Sequence, residues 1–187
     1  LQEKADILYH PGFGVGEGAF GQVYEGLTPG TVVKTIKENE FETPKEFAEE
    51  MLEFAEADVA REMYTQQLLA SRGQAPPVYR VGRSSLSDFP VIEMKDMRDN
   101  YQTARALYGD DLPRSVRVRT QQQVGQMALM GIKETDRNSG NILINDTTGK
   151  PLQIDYGSSD EVGRGSLKQI TTLKNATADG LAAAGLI

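Results

Sequence analysis

The beginning of the chain alternates apolar and polar positions in the manner of short antiparallel strands. Within residues 12–36, a glycine-dense turn leads into the alternating residues 22–25, and a turn at 28–30 leads into the β-branched run 31–33. The pattern predicts an antiparallel hairpin followed by a third strand.

A helical pattern separates these strands from two more. Apolar residues recur at helical spacing over 44–72, after a capping-box sequence and before Gly73. They are Phe47, Met51, Phe54, Ala55, Val59 and Met63. The stretch is either one long helix or two helices with a break at 56–58. Strands predicted at 78–83 and 90–94 bring the total before residue 95 to five.

The second half of the chain is mainly helical in composition. Residues 98–108 and 113–130 are predicted as helices, and 166–187 as a weak last helix. Two β-branched fragments, 142–144 and 152–154, lie on either side of a turn and are predicted as strands. The whole pattern predicts an α+β protein.

The change from sheet to helix near residue 95 predicts two parts, 1–95 and 96–187. The chain has 187 residues, of which 39% are hydrophobic and 25% charged. That length and composition suit one globular domain or one bilobed unit. We therefore expect the two parts to form a single functional domain.

Charge and residue usage exclude several chemistries. With 20 Lys and Arg against 27 Asp and Glu, the formal charge is -7, so nucleic acid is not an expected partner. The chain has no cysteine and a single histidine, His10, which excludes disulfides and thiolate zinc sites and leaves little room for a Ser-His-Asp triad. We expect His10 to be a surface residue. Any catalysis is expected to use carboxylates, lysine and backbone amides.

The sequence contains no membrane-spanning pattern. No apolar stretch approaches the length that crosses a bilayer, and the N-terminus has no cationic region followed by an apolar run. We therefore expect no membrane partner and no classical secretory signal in these residues. Because the chain begins at Leu1, we expect further residues upstream.

A glycine-rich segment is the first candidate for phosphate binding. Gly16, Gly18, Gly21 and Val23 fit the pattern G-x-G-x-x-G-x-V, in which glycines let backbone amides approach phosphate oxygens. A flexible glycine turn is the alternative. The residues after Gly21 alternate like a strand, which disfavours a dinucleotide-binding turn, and the Gly-Lys-Ser/Thr of a Walker loop is absent.

The next strand carries a lysine with apolar neighbours, Lys34. A glycine loop between antiparallel strands, followed by a strand lysine, is typical of nucleotide binding in protein kinases. Such a lysine needs a carboxylate on the following helix to hold it. Glu62 is the predicted partner, and Glu56 or Glu53 are alternatives.

The strongest chemical pattern lies downstream. Asp136 and Asn141 form D-x-x-x-x-N, and two strands later Asp155 opens the triplet Asp-Tyr-Gly. In this pattern Asp136 accepts or orients the proton of a substrate hydroxyl, and Asn141 with Asp155 holds Mg²⁺ against nucleotide phosphates. Oxygen ligands of this kind suit Mg²⁺ rather than zinc.

From Gly16 to Gly157 the sequence resembles the eukaryotic-like protein kinases, with the core motifs in the family's order. The resemblance implies a protein-kinase-like bilobed fold in which a five-stranded sheet with one helix faces a helical lobe, and it implies ATP and Mg²⁺ as cofactors. It also implies that Ile92 is the gatekeeper and that Glu93 to Lys95 is the hinge, so Glu93 and Met94 are expected to bind adenine.

The departures from the family pattern indicate a minimal kinase. The usual His-Arg-Asp reads Glu134-Thr135-Asp136, and Asn138 replaces a common lysine. The stretch after Gly157 lacks Ala-Pro-Glu and is too short for the usual helical lobe. We therefore expect a reduced helical lobe without an activation segment, and activity that needs no prior phosphorylation.

The catalytic loop and small second lobe are similar to those of bacterial type III secreted effector kinases, most of all the HopBF family. That resemblance implies a serine/threonine-protein kinase that is secreted into the host cell cytoplasm. The implied substrate is the host's ninety-kilodalton heat-shock chaperone, phosphorylated on serine, and a monomer is expected. Two alternatives are a small-molecule kinase of the aminoglycoside or choline type and a pseudokinase that acts as a binding module.

Overall fold

The computed structural model describes residues 7–9, 14–17, 21–36, 61–85, 90–133, 138–155, 160–161, 163 and 165–186. The chain divides into two compact units. The first consists of residues 1–67 and 76–96, and the second of residues 68–75 and 97–187. Residues 68–75 thus belong to the second unit, although they precede residue 95.

As far as the structure describes it, the first unit is built on a six-stranded sheet. Its strands are β1 (Ile7–Tyr9), β2 (Gly14–Glu17), β3 (Gly21–Glu25), β4 (Thr31–Ile36), β5 (Val78–Ser84) and β6 (Pro90–Lys95). They lie in the order β1-β5-β6-β4-β3-β2, and β1 pairs parallel with β5 while all other pairs are antiparallel. The five strands predicted from the alternation are therefore confirmed, and β1 is an addition.

The turn between β3 and β4 depends on glycine. Gly30 has a φ of 81°, which residues with a side chain rarely adopt. The Gly26 N–H donates to the Thr31 carbonyl at 2.9 Å, and a Cβ on Gly26 would lie 2.8 Å from the Thr31 carbonyl carbon. Beyond this turn, Val33 and Val91 are buried in the sheet and Tyr24 packs against them.

Helix α1 is described over residues 61–70. Its most buried positions are Glu62, Thr65, Gln66 and Leu69, which recur at the spacing of one helix face. The helix ends before Gly73, as predicted, where Gly73 has a φ of 70° and the Gln74 N–H donates to the Leu69 carbonyl. The question of one helix or two over 44–72 lies outside the described residues.

In its described residues the second unit combines three helices with short strands. Its helices are α2 (Ala104–Tyr108), α3 (Arg114–Leu129) and α4 (Leu167–Ala183). Its strands are β7 (Tyr101–Thr103), β8 (Ile132–Lys133), β9 (Ile142–Asn145), β10 (Pro151–Gln153) and β11 (Asp160–Glu161). Antiparallel pairing joins β7, β9 and β10 in one small sheet, and β8 with β11 in another.

The helix predicted at 98–108 is wrong in its first half. Tyr101–Thr103 is a strand because its backbone pairs with Leu143–Asn145 of β9, and only then does α2 begin, with the Thr103 hydroxyl capping the Ala106 N–H at 3.1 Å. The predicted β9, β10, α3 and α4 are confirmed within a few residues. In α4, Leu167 and Ile170 are exposed, and Ala176 is buried.

Among the described residues of the second unit, two clusters of buried apolar side chains can be distinguished. One contains Leu69, Ala75, Met127, Met130 and Ile132, and the other contains Ala104, Val116, Ile142 and Ile144. The second cluster includes two residues of β9, so it supports the hairpin that carries the candidate metal-binding residues. Among the residues that the structure describes, no helix is long and apolar enough to span a membrane.

Candidate phosphate and metal sites

Lys34 and Glu62 form an ion pair in the first unit. The Lys34 Nζ donates to the Glu62 Oε1 at 2.5 Å, and the two side chains are 16% and 9% exposed. Lys34 lies on β4 directly between Val23 of β3 and Ile92 of β6. The predicted partner of the lysine is therefore in contact with it, whereas the alternatives Glu53 and Glu56 lie outside the described residues.

The glycine-rich segment connects two antiparallel strands. Gly16 of β2 lies opposite Val23, and Gly21 begins β3. Gly18 lies outside the described residues. Since a strand rather than a helix follows Gly21, the segment is not a dinucleotide-binding turn, which requires a helix there. The pairing shifts register between Gly14 and Gly16, as at a β-bulge.

Glu93 lies in the middle of the sheet. Its neighbours are Val33 on β4 and Arg80 on β5. The carboxylate is buried, accepts from the Arg80 guanidinium and also accepts from the Thr31 hydroxyl at 2.8 Å. The hydrogen bond from Arg80 lowers the pKa of Glu93, although burial opposes this shift, and the Thr31 hydrogen bond adds to it.

The stretch predicted as a hinge is part of strand β6. Met94 lies opposite Val32 and Val78, and its Sδ accepts from the Gln66 amide at 3.5 Å. The Lys95 N–H donates to the Pro77 carbonyl at 2.9 Å. The Glu93 carboxylate and the Lys95 N–H are thus used in contacts of the first unit, and adenine binding by Glu93 and Met94 remains a prediction.

Asn141 and Asp155 are brought together by the β9–β10 hairpin of the second unit. Ile142 lies opposite Gln153, so the residue before β9 and the residues after β10 meet at the open end of the hairpin. The Ile154 N–H donates to the Asn141 carbonyl at 2.9 Å. Asp155 follows with a φ of 65°, a left-handed conformation that Asp and Asn tolerate better than most residues. Asp136 and the Tyr156-Gly157 pair lie outside the described residues.

The turn before Asn141 is held by side chains that the sequence analysis did not single out for this role. The Asn138 Oδ1 accepts from the Gly140 N–H at 2.9 Å, and the Asn141 N–H donates to the Asn138 carbonyl at 3.0 Å. The Ser139 hydroxyl donates to Asp110 at 2.9 Å. An Asn followed by Ser-Gly is a typical turn-forming sequence, and this local signal indicates the capping role of Asn138.

The hairpin end offers oxygen ligands of the kind that Mg²⁺ prefers. Within the described ranges, no group of three His, Cys, Asp or Glu residues could hold a metal ion by itself. Mg²⁺ bound with nucleotide phosphates needs only one or two protein ligands, since phosphate oxygens and water complete its shell. Asn141 and Asp155 fit that requirement. They do not fit a closed zinc site, which takes four nitrogen or sulfur ligands.

No protein-family model matches the sequence, and no curated protein matches it.

Proposed function

We propose that the protein is an ATP- and Mg²⁺-dependent serine/threonine-protein kinase with a reduced, bilobed protein-kinase-like fold. The observation that carries the proposal is the ion pair of Lys34 with Glu62, on the strand and helix that follow a glycine hairpin. A strand lysine held by a helix carboxylate is the arrangement that positions nucleotide phosphates in protein kinases. The Asn141 and Asp155 pair supports the same proposal from the second unit.

Each residue has a defined role in this proposal. ATP would supply the γ-phosphoryl group, and Mg²⁺ held by Asn141 and Asp155 would supply positive charge to the phosphates. Backbone amides at Gly16, Gly18 and Gly21 hold phosphate oxygens, and Lys34 holds the α- and β-phosphates. Glu62 keeps the Lys34 ammonium in place.

The second unit contributes the remaining groups. Asn141 and Asp155 hold the metal ion, and Asp136 orients the acceptor hydroxyl and takes its proton. The hydroxyl oxygen forms a bond to phosphorus as the bond to the ADP oxygen breaks. Because phosphoryl transfer depends mainly on positioning and charge neutralisation, a small second unit can supply what the step needs.

The proposed substrate is the ninety-kilodalton heat-shock chaperone of a host cell, modified on serine after secretion of the kinase by a bacterium. This part of the proposal rests on the resemblance to HopBF effector kinases. The sequence contains each of Lys34, Asp136, Asn141 and Asp155, which favours an enzyme over a pseudokinase. A small-molecule kinase of the aminoglycoside or choline type stays as an outcome of the test.

The test is transfer of labelled γ-phosphate from Mg-ATP to the purified chaperone and to a generic protein mixture. Asp155→Asn and Lys34→Met are the matched inactive variants. We expect label on the chaperone with the natural protein and none with either variant. Label on sugars or amino alcohols but on no protein would establish the small-molecule kinase. ATP binding without any transfer would establish the binding module.

A further inference from the structure

Gln66 is a buried polar residue that no step of the proposed reaction uses. Gln66 is only 2% exposed, and its Nε2 donates to the Pro76 carbonyl at 2.8 Å and to the Met94 Sδ at 3.5 Å. A buried amide is costly unless it is hydrogen-bonded, so these contacts define where the side chain must lie. Both acceptors belong to the first unit.

The Pro76 carbonyl is a rigid acceptor. Pro76 is among the most fully buried residues of the chain, and Pro77 follows it. The ring of Pro76 fixes its φ, and the ring of Pro77 restricts the conformation of the residue before it. The Pro77 carbonyl in turn accepts from the Lys95 N–H of β6 at 2.9 Å. The acceptor that Gln66 binds is therefore tied to the sheet.

Gln66 and Glu62 anchor the same face of α1 one turn apart. Residues four apart on a helix project from one face, and here Glu62 reaches Lys34 on β4 while Gln66 reaches Pro76, two residues before β5. Each hydrogen bond fixes one point of this face, and the two together define the rotation of the helix about its axis. With a side-chain radius of about 5 to 6 Å, a turn of about 30° would carry the Glu62 carboxylate about 3 Å from its place.

We propose that Gln66 is a positioning residue that sets the rotation of α1, so that Glu62 meets Lys34 without a signal from elsewhere in the chain. The inference rests on the proposed kinase function, because it assigns Gln66 to the pair that holds the nucleotide phosphates. Any rotation that separates Glu62 from Lys34 also removes the donor from the buried Pro76 carbonyl. The paired state of Lys34 and Glu62 is thereby the resting state of the first unit.

The test compares Gln66→Met with two controls. Methionine keeps the length of the side chain and removes the N–H donor. Gln67→Met makes the same change at the next, exposed position, and Val91→Ala weakens the first-unit core away from α1. We expect Gln66→Met to lower kcat by about tenfold or more with little change in the KM for ATP. Gln67→Met should match the natural protein, and Val91→Ala should lower Tm with kcat within about twofold at temperatures well below Tm.

A double-mutant cycle separates positioning from general stability. If Gln66 acts through Glu62, Gln66→Met should cause no further loss of kcat in a Glu62→Gln background. Equal losses in both backgrounds, or an unchanged kcat in Gln66→Met, would overturn the proposal.

Amide hydrogen exchange of residues 61–70 gives a second readout that does not depend on activity. We expect faster exchange in these residues in Gln66→Met than in Val91→Ala when each variant is measured at the same interval below its own Tm. Unchanged exchange would overturn the anchoring role even in an inactive protein. A natural protein that transfers no phosphate would instead overturn the proposed function, so the two failures are distinct.

Discussion

The Ile154 N–H donates to the Asn141 carbonyl at 2.9 Å across the open end of the β9–β10 hairpin. This one backbone contact joins the residue that precedes β9 to the segment that follows β10. The backbone positions of Asn141 and Asp155, which are well separated in sequence, therefore both lie at the open end of the hairpin. The proposed metal site thus depends on the hairpin register as much as on the two side chains.

The left-handed conformation of Asp155 predicts different effects for different substitutions. Asn and Gly adopt a φ near 65° readily, whereas Ala pays about 1 kcal/mol. We expect the free energy of unfolding of Asp155→Asn and Asp155→Gly to be close to that of the natural protein. In urea denaturation, Asp155→Ala should be less stable by about 1 kcal/mol. All three should lose about 100-fold or more in phosphate transfer, because the metal loses an anionic ligand. Equal stability of the Ala and Gly variants would contradict the conformational argument.

The Lys34 and Glu62 pair predicts a non-additive stability cycle. Lys34→Met leaves the largely buried Glu62 carboxylate without the ammonium, and should lower the free energy of unfolding by about 3 kcal/mol. The double variant Lys34→Met/Glu62→Met replaces both charges and should be more stable than Lys34→Met alone. Neither variant should transfer phosphate. Urea denaturation of Lys34→Met, Glu62→Met and the double variant measures the cycle. A double variant whose loss of stability equals the sum of the losses in the two single variants would refute the coupling.

The turn before Asn141 predicts an effect on metal affinity. Asn138→Ala removes the acceptor for the Gly140 N–H, whereas Asn138→Asp keeps an acceptor oxygen at the same place. Residues that orient a metal ligand typically contribute tenfold or more to metal affinity. We expect the Mg²⁺ concentration for half-maximal transfer to rise about tenfold in Asn138→Ala and much less in Asn138→Asp. If the Mg²⁺ concentration for half-maximal transfer is the same in Asn138→Ala and Asn138→Asp, the hydrogen bond from the Gly140 N–H to Asn138 does not support the site.

The buried Glu93 predicts a loss of stability in acid. Because the guanidinium of Arg80 lowers the pKa of Glu93 in the folded state, the unfolded chain binds a proton more readily than the folded protein does. The stabilisation is therefore fully present above the ordinary carboxyl pKa of about 4.3, and is lost as the pH falls through the lower folded pKa. Urea denaturation from pH 7 to pH 3 should show this loss, and Glu93→Gln should lack it. If the difference in free energy of unfolding between the natural protein and Glu93→Gln stays constant down to pH 3, Glu93 is not the source of the acid sensitivity.

The elements that the sequence predicts correctly are those with a local signal. Alternation and turn residues are enough for β2 to β6, and the β-branched fragments are enough for the β9–β10 hairpin. The composition of Tyr101–Thr103 predicts a helix, whereas the strand depends on pairing with β9, which is not a local interaction. The short β1 is missed for the same reason, since three residues carry no usable period.

Residue types at the candidate sites were easier to predict than their partners. The strand lysine was identified from its position after the glycines, but the choice of Glu62 depends on the phase of α1, which the buried positions Thr65 and Gln66 now define. The roles of Gln66 and Asn138 depend on acceptors that lie elsewhere in the fold or on a turn geometry. Such contacts follow from tertiary structure, and hydrophobic periodicity does not report them.

The two edges of the first-unit sheet have a consequence for self-association. An unpaired strand edge is a template for another chain, and proteins avoid this with short or bulged edge strands. Here β1 covers β5 with only three residues, and β2 is irregular between Gly14 and Gly16. Removal of residues up to Tyr9 would expose the backbone of β5 along Gly82 to Ser84. Within the described residues β1 thus covers this edge of β5, and we expect its loss to promote intermolecular strand pairing.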